Sequence, residues 1–252
     1  MRLYFLDNGW LEGDINWMVS LHTYGTKQNK TVSSVWSKFP VYCVLIDTGE
    51  KKILYDTGSH PSDYDLSNRF PYYFNEDQHL LNQLALIGLT PDDIDVVVLS
   101  HLHDDHCGNI SLFKGKRILV DEQEYNYVMS GSPRGPYKRI LKEEGIQPEL
   151  ISCDMKFDEG IQIVRLPGHS AGLLGLLLQL KNENFLLTMD AVNTSYNYQN
   201  PPVLAAGLYD NEAYIRSMKR IMSLQEKYHA RVIFGHDIDQ FEGLRHAPDY
   251  YE

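Results

Sequence analysis

Short apolar segments recur along the whole chain, and polar or turn-forming residues bound most of them. Segments of this length and composition are typical of buried β-strands. Residues 47–50 (DTGE) separate the first two segments and favour a β-hairpin. We expect strands over residues 41–46, 52–55, 96–100, 118–120, 161–166, 173–180, 185–189 and 232–234.

Three segments have apolar residues at the spacing of a helix instead. Residues 76–87 place their leucines and Ile87 on one face and precede Gly88, a residue type that commonly follows the last helical turn. Residues 211–228 show similar spacing, and residues 122–129 form a weaker third candidate. Because helices are interspersed among strands, and no linker or repeat divides the chain, we expect one α/β domain over residues 1–252.

Two long stretches carry many aromatic residues without clear periodicity. Residues 8–38 contain Trp10, Trp17 and Trp36, and residues 59–75 contain several tyrosines and phenylalanines. We expect both stretches to be surface loops. Their aromatic side chains either pack locally beneath the loops or form the wall or lid of a pocket, and both alternatives stay open.

The composition favours an ordinary globular protein and argues against polyanionic partners. Apolar residues make up 43% and charged residues 23% of the chain, as in ordinary soluble proteins. Lys and Arg number 23 against 34 Asp and Glu, so the formal charge is −11, and no run of four basic residues occurs. Nucleic acid is therefore not an expected partner. No apolar run is long enough to span a bilayer, so we expect no membrane association either. The oligomeric state is not indicated.

The cysteines and the N-terminal residues indicate a cytoplasmic protein. The three cysteines, Cys43, Cys107 and Cys153, are odd in number and widely spaced, so we expect no disulfide framework. The N-terminal sequence becomes acidic before any apolar stretch forms, unlike a secretory signal. A reducing compartment is the simpler expectation.

The strongest chemical signal is the sequence HLHDDH at residues 101–106, directly after a predicted strand. Imidazole nitrogens and carboxylate oxygens suit a divalent ion such as Zn²⁺. In an extended backbone His101 and His103 project to the same side, whereas Asp105 and His106 need a turn to face a second ion. The alternative, an acidic histidine-rich surface loop, does not explain why the cluster follows a buried strand.

Three further potential ligands stand where later predicted strands end. His169 follows the segment IQIVR, Asp190 follows FLLTM, and His236 follows VIF. Each one alone is more typical of a cap or turn residue. Because loops at strand ends can converge on a cleft, the three residues and the cluster together supply five imidazoles and two carboxylates, a complete set for two ions.

The order His-x-His-x-Asp-His, followed by separate His, Asp and His at strand ends, resembles the metallo-β-lactamase-fold superfamily of hydrolases. The segment DTG at residues 56–58 fits this pattern. Within the superfamily, LPGHS, LLTMDA, AAG and FGHDIDQ are similar in content and spacing to the N-acyl homoserine lactonases. The resemblance extends from the hairpin at Val41 to His236. It implies an αβ/βα sandwich, with two mixed β-sheets face to face, helices outside, and metals at one sheet edge.

The resemblance implies two divalent metal ions per chain, with Zn²⁺ expected and Fe, Mn or Co as alternatives that accept the same ligand types. Seven side chains would hold these ions. The first ion would be bound by His101, His103 and His169, and the second by Asp105, His106 and His236. The seventh ligand, Asp190, would bridge both ions together with a hydroxide.

The same resemblance implies the reaction, which is opening of the lactone ring of N-acyl homoserine lactones and hence degradation of a quorum-sensing signal. Hydroxide held between the two ions would attack the lactone carbonyl. The expected catalytic residues are Asp190, which would hold that hydroxide, and Asp105, which would give a proton to the leaving alkoxide. Asp56 is expected to support the metal ligands by hydrogen bonding, and Asp237 either does the same or is a turn carboxylate.

Three positions differ from the lactonase pattern. Asp104 stands where the lactonases carry an aromatic or apolar residue, and Asn193 stands where they have a tyrosine that assists the substrate carbonyl. Leu173 stands where the lactonases have a second histidine, at the end of the pattern PGHSxGH. Nearby Tyr196 and Tyr198 are candidates to replace the missing tyrosine. The side chains and backbone expected at the substrate pocket belong to Asp104, Asn193, Tyr196 and Gly207.

Because these substrate-facing positions differ, other functions stay open. A thioesterase or phosphodiesterase of the same fold is the main alternative, although phosphate or glutathione would favour basic residues, and the motif loops offer only Lys114, Lys116 and Arg117. A metal redox enzyme is less favoured, because di-iron members of this fold carry a carboxylate where His103 stands. A binding module without catalysis would leave so costly a polar cluster unexplained.

Overall fold

The protein is described by a computed structural model over residues 1–19, 27, 35–61, 71–131 and 146–252. Within these ranges two β-sheets of seven and five strands form the framework. The aromatic stretches expected at residues 8–38 and 59–75 lie partly outside the described residues. None of the described helices combines the length and apolar character needed to cross a bilayer.

The first sheet has the strand order β4-β1-β2-β3-β5-β6-β7. Pairing is antiparallel from β4 to β3 and parallel from β3 to β7, so the sheet is mixed. Its strands are β1 (Arg2–Asp14), β2 (Trp36–Asp47), β3 (Lys52–Tyr55), β4 (Tyr72–Tyr73), β5 (Val96–Val98), β6 (Arg117–Asp121) and β7 (Glu149–Ile151).

The second sheet has the order β12-β11-β10-β9-β8. Only the β11–β12 pair is parallel, and the other pairs are antiparallel. Its strands are β8 (Met155–Asp158), β9 (Ile161–Arg165), β10 (Leu174–Gln179), β11 (Asn184–Met189) and β12 (Ala230–Phe234).

Five α-helices accompany the sheets in the described ranges. The longest begins after Asp210, whose carboxylate accepts hydrogen bonds from the N–H groups of Glu212 and Ala213, and ends at His229 in the left-handed conformation. The helices are α1 (Leu80–Leu86), α2 (Asp104–Cys107), α3 (Glu122–Met129), α4 (Asn211–Tyr228) and α5 (Ile238–Glu242).

Alternating side chains of β2 show how the layers are arranged. Tyr42, Val44 and Ile46 belong to the core between the two sheets, whereas Cys43 and Leu45 face the opposite side, where α1 and α3 pack. A third apolar cluster joins α4 to the outer face of the second sheet. Because both faces of the strands are buried, they appear in sequence as nearly continuous apolar runs. The predicted αβ/βα sandwich with two mixed sheets is confirmed.

Strand directions bring several loops to one edge of the sandwich. β3, β5 and β6 run parallel, so their carboxyl ends share an edge of the first sheet. In the second sheet β10 is antiparallel to both β9 and β11, and β12 is parallel to β11, so the carboxyl ends of β9, β11 and β12 also share one edge. The residues after all these strands can therefore meet.

Hydrogen bonds between the sheets fix this edge. The hydroxyl of Tyr42 donates to the carbonyl of Phe234 (2.6 Å), and that of Tyr55 donates to the carbonyl of Leu174 (2.5 Å). The N–H of Leu174 donates in turn to the carbonyl of Ser100 (2.9 Å). These bonds join the two sheets beside the loops that follow β5, β9 and β12.

Several sequence predictions need correction, and among them residues 36–38 and 72–73, which are expected in loops, belong to β2 and β4. Residues 8–14 are expected in a loop but form the second half of β1, where a shift in register between Asp7 and Trp10 disrupts the alternation that would identify a strand. The predicted helix over residues 76–87 is a 3-10 turn followed by α1, because His79 between them is extended. The helices predicted over 122–129 and 211–228 have those bounds.

The tyrosine bond across the sheets makes a stability prediction. Replacing Tyr55 by Phe leaves the buried carbonyl of Leu174 without this donor, so the free energy of unfolding should fall by about 1–3 kcal/mol. Urea unfolding of the metal-free protein measures the change. Tyr209→Phe is the control, because Tyr209 is 52% exposed, and its effect should stay within about 0.5 kcal/mol. Equal stability of the Tyr55→Phe variant and the unmodified protein would contradict the role.

Candidate metal centre

The seven predicted ligands come together at the shared sheet edge, in two groups. Within each group one ligand atom from every residue lies within 4.8 Å of the others. The first group follows β5, β9 and β11, and the second follows β5 and β12. The first group is His101, His103, His169 and Asp190, and the second is Asp105, His106 and His236.

Asp190 lies between the two groups and presents a different oxygen to each. Its Oδ2 is 3.1 Å from Nε2 of His169 and 4.0 Å from Nε2 of His101, in the first group. Its Oδ1 is 3.2 Å from Nε2 of both His106 and His236, in the second group. One carboxylate can therefore serve two adjacent cations.

The backbone around Asp190 is shaped to place this carboxylate. Met189, the last residue of β11, has a φ of +42°, which is costly for a residue with a side chain and turns the chain sharply. Gly235 in the neighbouring loop packs so closely that an added Cβ would lie 2.6 Å from Oδ1 of Asp190. Only glycine permits that approach without displacing the carboxylate.

The turn expected within the HLHDDH sequence is α2. His103 is extended and precedes the helix, and its carbonyl accepts hydrogen bonds from the N–H groups of His106 and Cys107. Nε2 of His101 is 2.8 Å from Nδ1 of His103, so the two rings converge as an extended backbone predicts. The turn directs His106 and Asp105 toward the second group, where their ligand atoms are 3.5 Å apart.

Asp56 is a buried carboxylate that orients His106 directly and His101 through Ser100. It follows β3 with a φ of +62° and is completely buried. Its carboxylate accepts hydrogen bonds from Nδ1 of His106 (2.8 Å) and from the N–H and hydroxyl of Ser100 (2.6 and 2.7 Å). The Ser100 oxygen is also 3.0 Å from Nδ1 of His101. Bonds at Nδ1 leave Nε2 of both histidines available to a metal.

His236 is held by a different element, in a way that local sequence does not reveal. Its Nδ1 donates to the carbonyl of Pro40 in β2 (2.9 Å), and its N–H donates to the carbonyl of Asn193 (2.7 Å). Its Nε2 then faces Asp105 and Asp190 (3.4 and 3.2 Å). Pro40 and Ser100 hold predicted ligands in place, and neither is predicted from the sequence. Ser100 could have been found as the residue before the motif, whereas Pro40 gives no signal.

Burial keeps the imidazoles of the first group neutral. It lowers the pKa of His103 to about 3, helped by the nearby ring of His169. Burial likewise lowers the pKa of His101 well below its ordinary value and lowers that of His169. Neutral imidazole is the form that binds a metal.

The second group has the opposite electrostatics. Burial lowers the pKa of His106, but the carboxylates of Asp105, Asp190 and Asp56 outweigh it and raise that pKa well above the ordinary value. Burial also opposes protonation of His236, but Asp190 and Asp105 raise its pKa. Asp190 is itself affected: burial favours its neutral form, yet the surrounding histidines hold its pKa well below the usual range.

Unpartnered buried atoms show that the donor set fits metal ions. Nε2 of His106 and Oδ1 of Asp190 are buried and lack hydrogen-bond partners in the described part of the chain, although they face one another. Buried polar atoms of this kind need a partner, and a metal ion bound between them would supply one in place of the proton on His106. Histidine nitrogens with carboxylate oxygens are a donor set suited to Zn²⁺ and similar ions.

Asp237 is predicted either to orient a ligand or to be a turn carboxylate, and its carboxylate accepts hydrogen bonds from two backbone N–H groups. Its Oδ1 accepts a hydrogen bond from the N–H of Gln240 (2.8 Å) as the cap of α5. Its Oδ2 accepts one from the N–H of Ser195 (2.7 Å). The carboxylate therefore fixes loop geometry beside His236.

The positions predicted for the substrate pocket lie in different settings. Asp104 is the first residue of α2 and is half-buried. Asn193 is buried with an unpartnered Oδ1, whereas Tyr196 is 57% exposed. Gly207 contributes to the wall of a cavity of about 760 Å³ between residues 199–208 and the start of α4. Tyr198, the other candidate, donates from its hydroxyl to Gln225 and so faces α4.

Comparisons with known proteins agree with this geometry. The model of the metallo-beta-lactamase superfamily matches residues 36–236. The chain is 34% identical, over 277 aligned residues covering 100% of it and 99% of the relative, to N-acyl homoserine lactonase AiiB of Agrobacterium fabrum. It is 30% identical to N-acyl homoserine lactonase AiiA of Bacillus thuringiensis subsp. kurstaki, with 99% and 98% of the two chains covered.

Solved structures show the same similarity in three dimensions. An N-acyl homoserine lactone hydrolase with the product N-hexanoyl-L-homoserine bound at its catalytic metal centre superposes with a TM-score of 0.86 and 29% identity. That superposition covers 99% of this chain and 98% of the other. A Bacillus thuringiensis AiiA variant with N-decanoyl-L-homoserine at the active site also gives a TM-score of 0.86, at 28% identity and the same coverage.

The contrast between the two groups predicts proton release on metal binding. The raised pKa values of His106 and His236 favour their protonated forms in the metal-free protein, so an ion must displace protons there, whereas burial favours neutral imidazoles in the first group. Titration calorimetry with Zn²⁺ in buffers of different ionisation enthalpy measures the protons released on binding. We expect release of at least about one proton per chain near pH 7.

The pH dependence of this release identifies its source. Protons from His106 and His236 decline in number as pH rises through the raised pKa values of these residues, since fewer are bound beforehand. Protons from a metal-bound water increase with pH instead. Release that grows steadily from about pH 6 to about pH 9 would contradict the assignment to the histidines.

Proposed function

The chain belongs to the metallo-beta-lactamase superfamily, and from that premise we propose that it is a dinuclear metal-dependent hydrolase that opens the lactone ring of N-acyl homoserine lactones. The observation that carries the proposal is the pair of ligand groups with Asp190 between them. Full-length relatives named as N-acyl homoserine lactonases support the substrate class. Such an activity would degrade a quorum-sensing signal.

Asp190 and Asp105 have different roles in the proposed reaction. Two divalent ions in the groups would lower the pKa of a shared water, so that hydroxide is available at neutral pH without a separate base. Asp190 offers one oxygen to each group and so fixes their separation. Asp105 is 17% exposed, more than Asp190, and its Oδ2 faces His236. We assign Asp105 the transfer of a proton from the attacking water to the leaving alkoxide, which leaves its own carboxylate ionised as before.

The identity of the metal and the cellular compartment follow from the ligand types and from the cysteines. We propose Zn²⁺ as the ion, because five imidazoles and two carboxylates suit it, although Fe, Mn and Co accept the same ligands. All three cysteines are free, and Cys43 and Cys107 are buried, which fits action in the reducing cytoplasm. We also propose that residues 1–252 act as one domain, since both sheets contribute to the centre and to the core between them.

The contacts of the basic residues favour a lactone over a phosphate or glutathione substrate. Arg117 is the first residue of β6, at the edge opposite the metal groups, and pairs with Glu149 (2.8 and 3.0 Å). Lys116 donates to the carbonyl of Asp92 (2.6 Å). Neither cation is therefore placed to bind an anionic substrate at the centre.

A substrate panel tests the proposal. We expect protein with two quantified ions per chain to hydrolyse short- and long-chain N-acyl homoserine lactones faster than a simple γ-lactone or a thioester, because acyl-chain contacts add binding energy. Proton release in weak buffer follows each reaction. His169→Ala should lose the first ion and most activity. Faster turnover of the thioester would contradict the substrate class, and full activity of a metal-depleted His169→Ala variant would contradict the dinuclear centre.

Asp104 provides a test of the pocket. Replacing it by Phe would add an apolar ring beside His103, so the ratio of kcat/KM for long against short acyl chains should rise by about tenfold. Asp104→Asn is the matched control, since it removes the charge without adding apolar surface. An unchanged ratio in the Phe variant would show that Asp104 does not face the acyl chain.

A further inference from the structure

Glu124 of α3 is completely buried, and its carboxylate lies between two loops that carry metal-binding histidines. Its Oε1 accepts a hydrogen bond from the N–H of Leu102 (3.1 Å), and its Oε2 accepts one from the N–H of Gly172 (3.3 Å). Leu102 stands between two histidines of the first group, and Gly172 stands three residues after the third. One side chain therefore joins the two segments that supply all three imidazoles.

We propose that Glu124 is a positioning residue that assembles the first metal group by holding the loop after β5 against the loop after β9. The proposal rests on the metal centre proposed above and is independent of its substrate. Glu124 touches neither ion nor lactone; it acts through the backbone on His101, His103 and His169.

The surroundings of Glu124 leave the two loops as its main partners. Burial raises its pKa to about 7, against the lowering effect of the hydrogen bonds from Leu102, Gly172 and Ser170. The nearby Arg165 pairs with Asp121 (2.5 and 3.0 Å), and no ion pair of Glu124 is found among the described residues. A buried carboxylate is costly unless it is hydrogen-bonded, so these backbone contacts account for its place in the fold.

Helix formation does not require Glu124. The carboxylate of Asp121 already caps α3, since it accepts hydrogen bonds from the N–H groups of Gln123 and Glu124. Gly172 packs directly on this cap, because an added Cβ would lie 1.9 Å from Oδ1 of Asp121. The loop after β9 thus packs against the start of α3, and this places the N–H of Gly172 beside the carboxylate of Glu124.

The two metal groups share Asp56, which reaches His101 through Ser100, but only the first group spans the two loops that Glu124 joins. In the first group Nδ1 of His103 is 2.8 Å from Nε2 of His101, on its own loop, and 3.1 Å from Nε2 of His169, on the other loop. The second group is held by Asp56 through His106 and by the carbonyl of Pro40 through His236. Loss of the Glu124 contacts should therefore weaken the first group and spare the second.

Glu124→Gln tests the role with little change in volume. An amide has one acceptor oxygen, so its NH₂ would face one of the two backbone N–H donors and release one loop. Metal release from the two-ion protein into excess chromogenic chelator should show two phases, and His169→Ala identifies the phase of the first group by its loss. We expect that phase to be about 10–100 times faster in Glu124→Gln, with the other phase unchanged.

Two further variants make the result decisive. Glu124→Asp keeps the charge but shortens the reach, so it should accelerate the same phase and replaces Glu124→Gln if that variant does not fold. Gln83→Met is the matched control, because Gln83 is a buried polar side chain of α1 that binds the N–H of Asp7 and the carbonyl of Asp77. It should lower the free energy of unfolding and leave both release phases unchanged.

The outcomes separate this role from the proposed function. Unaltered phases in both Glu124 variants, or equal acceleration of both phases, would overturn the positioning role while leaving the two-ion centre intact. Unmodified protein that binds fewer than two ions would contradict the proposed centre itself, and that result is obtained before any Glu124 variant is made. Selective acceleration of the first phase supports both.

Discussion

The centre depends on one constraint: the buried carboxylate of Asp190 must lie between imidazoles that come from three other loops. Asp190 meets it by turning one oxygen to each metal group. The surrounding backbone is shaped to this end, since Met189 adopts a positive φ and Gly235 leaves no room for a side chain. Burying so many polar side chains together is costly unless protons or a cation lie between them, so the rest of the fold must hold the loops in place.

The two metal groups differ in their electrostatics and in the residues that hold their histidines. In the first group burial outweighs the nearby carboxylates and keeps the imidazoles neutral, and its loops meet at Glu124. The second group lies among carboxylates, and its histidines are anchored by Asp56 and by the carbonyl of Pro40. An ion therefore enters the first group without displacing a proton but competes with protons in the second. The fold thus creates two unequal positions from the same residue types.

Sequence reasoning succeeds where chemistry is local and fails where it depends on pairing at a distance. The HLHDDH cluster lies within six positions, so its convergence follows from one strand end and one turn. Pro40 contributes only a carbonyl, 196 positions from the histidine that it binds, and no residue type signals that contact. Residues 8–14 carry an irregular pattern because β1 has a bulge, and their strand is fixed by pairing with β2. Helix bounds were predictable for α4 because a carboxylate cap and an apolar face mark them.

The differences from the lactonase pattern lie outside the supports of the metal groups. Asp104 is the first residue of α2, and its side chain is half-buried. The ligands are the side chains of the neighbouring residues His103, Asp105 and His106. Asn193 binds His236 through its backbone carbonyl, a contact that any side chain at this position would preserve. The side-chain Oδ1 of Asn193 has no hydrogen-bond partner and therefore does not hold any of the metal ligands. Substitution at these two positions can alter which substrate is accepted without dismantling the centre, because metal binding and substrate selection rest on different atoms of the same loops.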